Sequence, residues 1–466
     1  MKVKKLLDWQ KQAIKFGLPL ENFAVLSDPG TGKTLVAIKI MEVVKKKLPQ
    51  IIPVIITPNV TLYNWQSEIL ENTDFTEDDI YIVEGPRNMR EFAVRSAIDK
   101  SKILIMGYSA IRSSYVHEKL LHWDANYRVL FIADEIQHLK NPRTSQYKVA
   151  AKLARKSAKK IFMTGTPYLT GLENIFYIYR ILDSGASFGR NIYYFRGKYM
   201  YQSGMFNWIP KSDSLEKISQ VLKKSSYGVS LDSCVDLPPL VEQNITVNME
   251  GDQLRIYQDM ESKLMADYKG NTLVAVNALS RLAKLLQVTS GFFVSESGET
   301  VSIEENKKME TLKHYVKEII SYKGSCIIWY SFNFELGIIK KWFASEKIPI
   351  AEIHGGINSK QKQEQIDIFN NGDADFIICQ RTAGGVGINL TRANYSIVYS
   401  RMFGMGSDLQ SAARNYRKGS EIHKKVVRYI FTCPDSVDDI IRQSIENHKE
   451  NGEEILKLFR QQKGIS

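Results

Sequence analysis

The chain has 466 residues, 44% hydrophobic and 24% charged, enough for two or three domains with cores of their own. Lys and Arg outnumber Asp and Glu by 63 to 51, a formal net charge of +12 that suits either a basic soluble enzyme or a protein with a polyanionic partner, of which nucleic acid is the commonest. Four widely spaced cysteines without a C-x-x-C pair, and seven histidines without ligand spacing, argue against a zinc site. Asp8 and Gln10 interrupt the basic start, so no signal peptide is expected, and no apolar run is long enough to span a membrane.

In chain order, Phe23-Ala24-Val25-Leu26 reads as a buried parallel strand. It runs into Ser27-Asp28-Pro29-Gly30-Thr31-Gly32-Lys33-Thr34, a glycine-rich loop ending in Gly-Lys-Thr. Gly30 and Gly32 permit backbone angles at which successive N–H groups converge on an anion. Lys33 then reaches the β- and γ-phosphates and the Thr34 hydroxyl faces Mg²⁺, a phosphate-binding pattern even with Ser27 in place of the usual first glycine. A helix is expected from Leu35 to Leu48, stopped by Pro49, with Ile38, Met41, Val44 and Leu48 on one face and its N-terminus toward the phosphates.

Further strands are expected at Val54–Ile56, Ile103–Met106, Val129–Ala133 and Ile161–Met163, alternating with helical patterns. The third ends in Asp134-Glu135, the acidic half of a nucleoside triphosphate site, with Asp134 and Thr34 for Mg²⁺ and Glu135 for the attacking water. Ligand residues should gather at the carboxyl ends of such strands, and Thr57-Pro58, Gly107-Tyr108 and Thr164-Gly165-Thr166-Pro167 all fall there. Residues 172–235 read as a helical and aromatic insertion. Its densest part, Ile192–Tyr201, is either lobe core or a base-stacking element, with core favoured. Leu237-Pro238-Pro239 reads as a linker, and residues 250–320 as mainly helical. Strands resume at Cys326–Tyr330, Ile350–Ile353, Phe376–Cys379, Ser396–Tyr399 and Val426–Phe431, followed by a helix from Ser436 with Val437, Ile440 and Ile441 on one face. The expected domains are 1–235 and 236–466, only the first with a Gly-Lys-Thr loop.

Taken in order, these segments resemble the motif set of superfamily 2 helicases, most closely the Swi2/Snf2 branch. Leu6–Gln10 is similar to the adenine-reading motif, with Trp9 where Tyr is usual. Ser27–Thr34, Ile56-Thr57-Pro58 with Asn64-Trp65 and Glu68, Gly107-Tyr108, Asp134–Asn141 and Thr164–Pro167 follow in the order of motifs I, Ia, Ib, II and III. The second half continues with Trp329-Tyr330-Ser331, then His354-Gly355-Gly356, where Lys362 stands in place of a frequent Arg. Ala383–Leu390 and Gln410–Arg417 complete the set.

The resemblance implies an α/β fold of two RecA-like parallel-sheet domains in tandem with helical insertions. It implies ATP and Mg²⁺ as cofactors, with Gln10, Asp28, Pro29, Gly30, Thr31, Gly32, Lys33, Thr34 and Gly387 around the nucleotide. Lys33, Asp134 and Glu135 would act with Arg414 and Arg417, which lie three apart and would share a helix face as arginine fingers; a DNA-contacting patch is the alternative for that pair. DNA phosphates would be gripped by Thr57, Tyr108, Lys140, Asn141, Ser331, Thr382 and Asn389. The expected activity is a DNA-dependent ATPase of phage or bacterial cytoplasm, acting as a monomer to remodel branched DNA by branch migration or fork regression. Stripping of bound protein such as a polymerase, or ATP-gated DNA binding with little turnover, are the alternatives.

Overall fold

Apolar runs without polar alternation form strands when both faces are covered. The computed structural model describes residues 5–121, 129–165, 172–202, 208–231, 233–234, 236–270, 275–295, 297–384, 388–402, 408, 411–442 and 445. They fall into two units, adjoining in sequence at Asp236 and Leu237.

Unit 1 begins with α1 (Asp8–Gly17), β1 (Asn22–Leu26), α2 (Lys33–Lys47) and β2 (Ile52–Thr57). There follow α3 (Leu62–Asn72), β3 (Ile80–Val83), α4 (Arg87–Asp99), β4 (Ile103–Gly107), α5 (Ser114–Leu121), β5 (Val129–Ala133), α6 (Ser145–Lys156) and β6 (Ser157–Thr164). The unit closes with α7 (Glu173–Leu182), α8 (Ile192–Tyr199), β7 (Met200–Gln202), β8 (Trp208–Pro210), α9 (Ser214–Leu222) and β9 (Ser226–Tyr227). Seven strands pair in parallel in the order β3-β4-β2-β5-β6-β1-β9. One face of the sheet packs on Ala37, Ile38 and Met41 of α2 and Trp65 of α3, the other on Val149 and Leu153 of α6 and Phe176 and Tyr179 of α7. The strands at β3 and β9 are additions to the sequence reading.

The aromatic segment divides by face. Phe195 and Tyr199 of α8 are buried against Phe176 and Phe188, with ring centroids 5.4–6.0 Å apart. Tyr193 and Tyr194 stay 70% and 61% exposed.

Unit 2 contains β10 (Leu240–Thr246), α10 (Gly251–Gly270), α11 (Ala275–Thr289), a hairpin of β11 (Phe292–Val294) and β12 (Thr300–Ser302), and α12 (Lys307–Ser321). It continues with β13 (Cys326–Tyr330), α13 (Asn333–Ser345), β14 (Ile350–Ile353), α14 (Ser359–Asn371), β15 (Phe376–Gln380), α15 (Arg381–Gly384), β16 (Tyr395–Val398) and β17 (Val426–Thr432). Its parallel sheet has the order β10-β17-β16-β13-β15-β14. The edge strand β10 follows directly on the expected linker. In the closing helix Val437 and Ile441 are fully buried while Ile440 is 52% exposed, because three residues fall short of a full turn and carry Ile440 off the core face.

Candidate nucleotide and nucleic-acid site

The phosphate loop is set by two left-handed glycines and two close approaches. Gly30 and Gly32 both have φ of +88°, a region that other residues enter at a cost of about 1–2 kcal/mol. A Cβ on Gly32 would also lie 2.7 Å from Nε2 of Gln10, and one on Gly165, after β6, would lie 2.7 Å from Cδ of Pro29. The two strand-end segments therefore touch through a glycine. Lys33 opens α2, is 8% exposed, and donates to the carbonyls of Ser27 and Asp28 at 2.8 and 2.9 Å. Its ammonium thus sits on the inner side of the loop. Thr31 donates to the Asp28 carbonyl at 2.8 Å, and the Asp28 carboxylate accepts from the Leu231 amide at 2.9 Å.

Gln10 is buried. Its Oε1 accepts from the Leu7 amide at 2.9 Å and its Nε2 donates to the Gly32 carbonyl at 3.1 Å. One amide hydrogen and one lone pair remain for another partner.

Asp134 is held from the β2 and β4 side of β5 and from α3. Trp65 of α3 donates its indole N–H to Oδ2 of Asp134 at 3.0 Å, and Thr57 at the end of β2 donates to the same oxygen at 3.2 Å. Tyr108, just after β4, donates its hydroxyl to the Asp134 carbonyl at 2.6 Å. Burial, and behind it the adjacent Glu135, push the Asp134 carboxyl up to about 6, against the pulls of Trp65, Lys33 and Thr57. Glu135 has φ of +50°, a strained value for a residue with a side chain, and its carboxylate accepts from Nε2 of Gln137 at 2.6 Å.

These residues fit a hard divalent cation. The Thr34 hydroxyl and the Asp134 carboxylate offer oxygen donors, and the Asp134 carboxylate, buried beside Glu135, would gain from a positive charge. Among the described residues, no three His, Cys, Asp or Glu side chains form a metal cluster. A cation here would therefore keep phosphate and water ligands, the habit of Mg²⁺.

The expected phosphate grips separate into exposed and buried sets. Lys140 and Asn141, after the acidic pair, are exposed. Thr57 is fully buried and Tyr108 is 6% exposed, with both hydroxyls spent on Asp134, so these two side chains support the acidic pair and do not face solvent as expected. The sequence reading did not single out Asn59 and Ser109, which are exposed on the loops after β2 and β4 and joined at 3.1 Å. A Cβ on Gly107 would collide with Oδ1 of Asn59, so that glycine makes room for the pair. Asn and Ser just beyond two strand ends are the signal that would have found them.

In unit 2, Thr382 and Asn389 are exposed. Ser331 is half-buried, its hydroxyl donating to the Ser400 carbonyl at 3.1 Å, so its proton is used internally. Arg414 and Arg417 lie in turns beyond a helical stretch that ends at residue 412, not on one helix face as expected. They converge all the same, both donating to the Ile388 carbonyl at 3.3 and 3.4 Å. Lys362 of α14, buried, donates to the Ala383 carbonyl at 2.8 Å on the other side of the same loop, and burial pushes its ammonium down to about 8. Three cations thus bond the carbonyls of Ala383 and Ile388. Gly387, Gln410, Thr166 and Pro167 lie outside the described residues.

Beside them, Asp408 carries a cluster the sequence did not reveal. Arg381 at 2.9 Å, Arg401 at 3.2 Å and Arg428 at 3.3 Å surround its fully buried carboxylate. Burial would raise its affinity for a proton, but the three guanidiniums prevail and hold it far below the usual carboxylate range.

Comparison with known proteins agrees with the order of these segments. The SNF2-related domain matches residues 9–297, and the helicase conserved C-terminal domain matches residues 307–419. An uncharacterized ATP-dependent helicase of Mycoplasma genitalium is 24% identical over 98% of this chain and 44% of its own length. The chromatin remodeling factor mit1 of Schizosaccharomyces pombe is 24% identical over 91% of this chain and 30% of its own length. The chain therefore spans less than half the length of these curated relatives. The SWI2/SNF2 ATPase core of Sulfolobus solfataricus in complex with dsDNA is 20% identical, with a TM-score of 0.45 over 97% of this chain and 93% of that one. With the SNF2-related match covering residues 9–297, more than half of the molecule, the chain belongs to the SNF2-related family, with two RecA-like α/β domains.

Proposed function

We propose that the chain is a DNA-dependent ATPase that tracks along duplex DNA and remodels branched DNA. The observation that carries this reading is the set of hydrogen bonds on Asp134. Thr57, Trp65 and Tyr108 hold the acid from the elements that also carry Asn59 and Ser109 to the surface. A DNA backbone pressing on those exposed loops moves the residues that aim the carboxylate, so strand contact and phosphoryl transfer share one set of supports.

In this mechanism Lys33 and the amides of residues 30–34 hold the β- and γ-phosphates, and Gln10 uses its remaining amide groups toward the base. Thr34 and Asp134 hold Mg²⁺, which neutralises phosphate charge when bound. Glu135 orients the attacking water and accepts its proton. By their motif order, Arg414 and Arg417 take the part of transition-state cations. The grips on DNA are backbone contacts at Asn59, Ser109, Lys140, Asn141, Thr382 and Asn389, so tracking is independent of sequence.

Branched DNA gives such a motor an output at little cost, since pairs lost on one arm reform on another. ATP-dependent migration of a four-way junction, with poor unwinding of a tailed duplex, is the expected result. Robust unwinding beside inert junctions would instead establish a conventional helicase.

A further inference from the structure

On the flank of unit 1 a cleft of about 700 Å³ runs along α6, and Lys148, Lys152, Arg155, Arg180 and Arg190 line it. All five are exposed, and none forms an ion pair with another described residue. The nearby acids are engaged elsewhere: Asp183 accepts from the amides of Gly185 and Ser187, and Glu173 pairs with Arg196 at 2.6 Å. No acidic side chain among the described residues lines the cleft. Five cations are thus held together at the cost of mutual repulsion, with no protein anion to balance them.

The spacing suits a phosphate backbone. Lys148, Lys152 and Arg155 stand at i, i+4 and i+7 of one helix, a stripe about 10 Å long at roughly 1.5 Å per residue. That length of B-DNA carries about three phosphates per strand. Arg180 and Arg190 face the stripe from α7 and the loop beyond it. The floor is Tyr147, only 5% exposed, and half-buried Ala151, so no aromatic face is offered to a splayed base, and duplex fits better than single strand.

The course of the cleft separates it from the strand-end grips. Its upper end, Pro142, follows directly on the exposed Lys140 and Asn141. From there α6 descends to Ser157, the first residue of β6, at the opposite edge of the sheet. Arg155 stands ten residues into α6, about 15 Å along the helix from Ser145 at roughly 1.5 Å per residue.

We propose that this cleft binds the phosphate backbone of a second DNA duplex segment, one arm of a branched substrate. The proposal rests on the branched-DNA reading above and adds the site that recognises the second arm. The test is the full chain carrying Lys152→Gln, Arg155→Gln and Arg180→Gln, with an unchanged melting curve as the folding control. Binding of a four-way junction and of a plain duplex is measured over a range of NaCl concentrations, beside ATPase stimulated by the plain duplex. Junction affinity should fall by about tenfold or more at low salt, and the magnitude of the log–log salt slope should shrink by roughly 2 to 3. Duplex-stimulated ATPase should stay within about twofold of wild type, because the strand-end grips are intact. Unchanged junction affinity and slope overturn the proposal. So does an equal loss on the plain duplex, which would make the cleft part of the main track. Loss of binding to a polyglutamate peptide with all DNA affinities intact would make it a peptide dock instead. A wild-type chain that grips junctions through the cleft yet does not migrate them with ATP would sink the branch-migration reading and leave the cleft standing.

Discussion

Lys33, Glu135 and Trp65 separate binding, chemistry and positioning. Lys33→Ala should abolish ATP turnover while leaving DNA binding near wild type, because the exposed grips lie on other loops; ATPase and gel-shift measurements on one preparation decide this. Glu135→Gln should still bind ATP but hydrolyse it slowly, so filter binding would retain nucleotide that wild type turns over. Trp65→Phe keeps the apolar bulk and removes the N–H to Asp134. A hydrogen bond to a charged group contributes about 1.5–3 kcal/mol, so the Mg²⁺ concentration for half-maximal ATPase should rise about tenfold or more. An unchanged Mg²⁺ curve would show that the indole only fills space. The acid and the loop were legible in the sequence because the chemistry is local to a few consecutive residues. The supports were not: Thr57 and Trp65 lie 77 and 69 residues from Asp134, and only the pairing of β2 with β5 brings them together.

Strands with both faces covered were readable at the level of elements, as in Val129–Ala133 and Cys326–Tyr330, where every residue is buried. The edge strand β10 was not, since Leu-Val-Glu-Gln-Asn-Ile-Thr is mostly exposed and takes its hydrogen bonds from β17. Helix α8 divides its aromatic run between core and surface. Phe195→Ala removes a fully buried ring and should cost about 3–5 kcal/mol, seen as a lower melting temperature with ATPase and junction processing falling together. Tyr193→Ala, at a 70% exposed position, should leave stability alone; a selective loss of junction processing would mark the exposed edge of the helix as a DNA-separating element. The Asp408 cluster gives a pH test. Its carboxylate is far more acidic folded than unfolded, so its contribution is fully present above the ordinary carboxylate value and is lost as pH falls through and below it. Asp408→Asn leaves the buried Arg381 and Arg428 and the partly buried Arg401 without their shared counterion and should destabilise unit 2 by about 3–5 kcal/mol at neutral pH, with a smaller deficit in acid.

Across the whole molecule, the net charge of +12 and the exposed cations of unit 1 predict DNA affinity that is steep in salt and nearly indifferent to sequence. Titration of unrelated duplexes at several NaCl concentrations checks this, and a flat salt response would point to base readout. The fold and the nucleotide loop followed from motif order, whereas the duplex or branched nature of the substrate did not, because backbone grips look alike on any DNA. In the proposed mechanism DNA contact and ATP hydrolysis share the supports of Asp134. This coupling is tested most directly by the steady-state rate of ATP hydrolysis with and without saturating duplex DNA. The rate should be low alone and rise at least about tenfold with DNA, the equivalent of ~1.4 kcal/mol in the barrier. Equal turnover in the two conditions would contradict it.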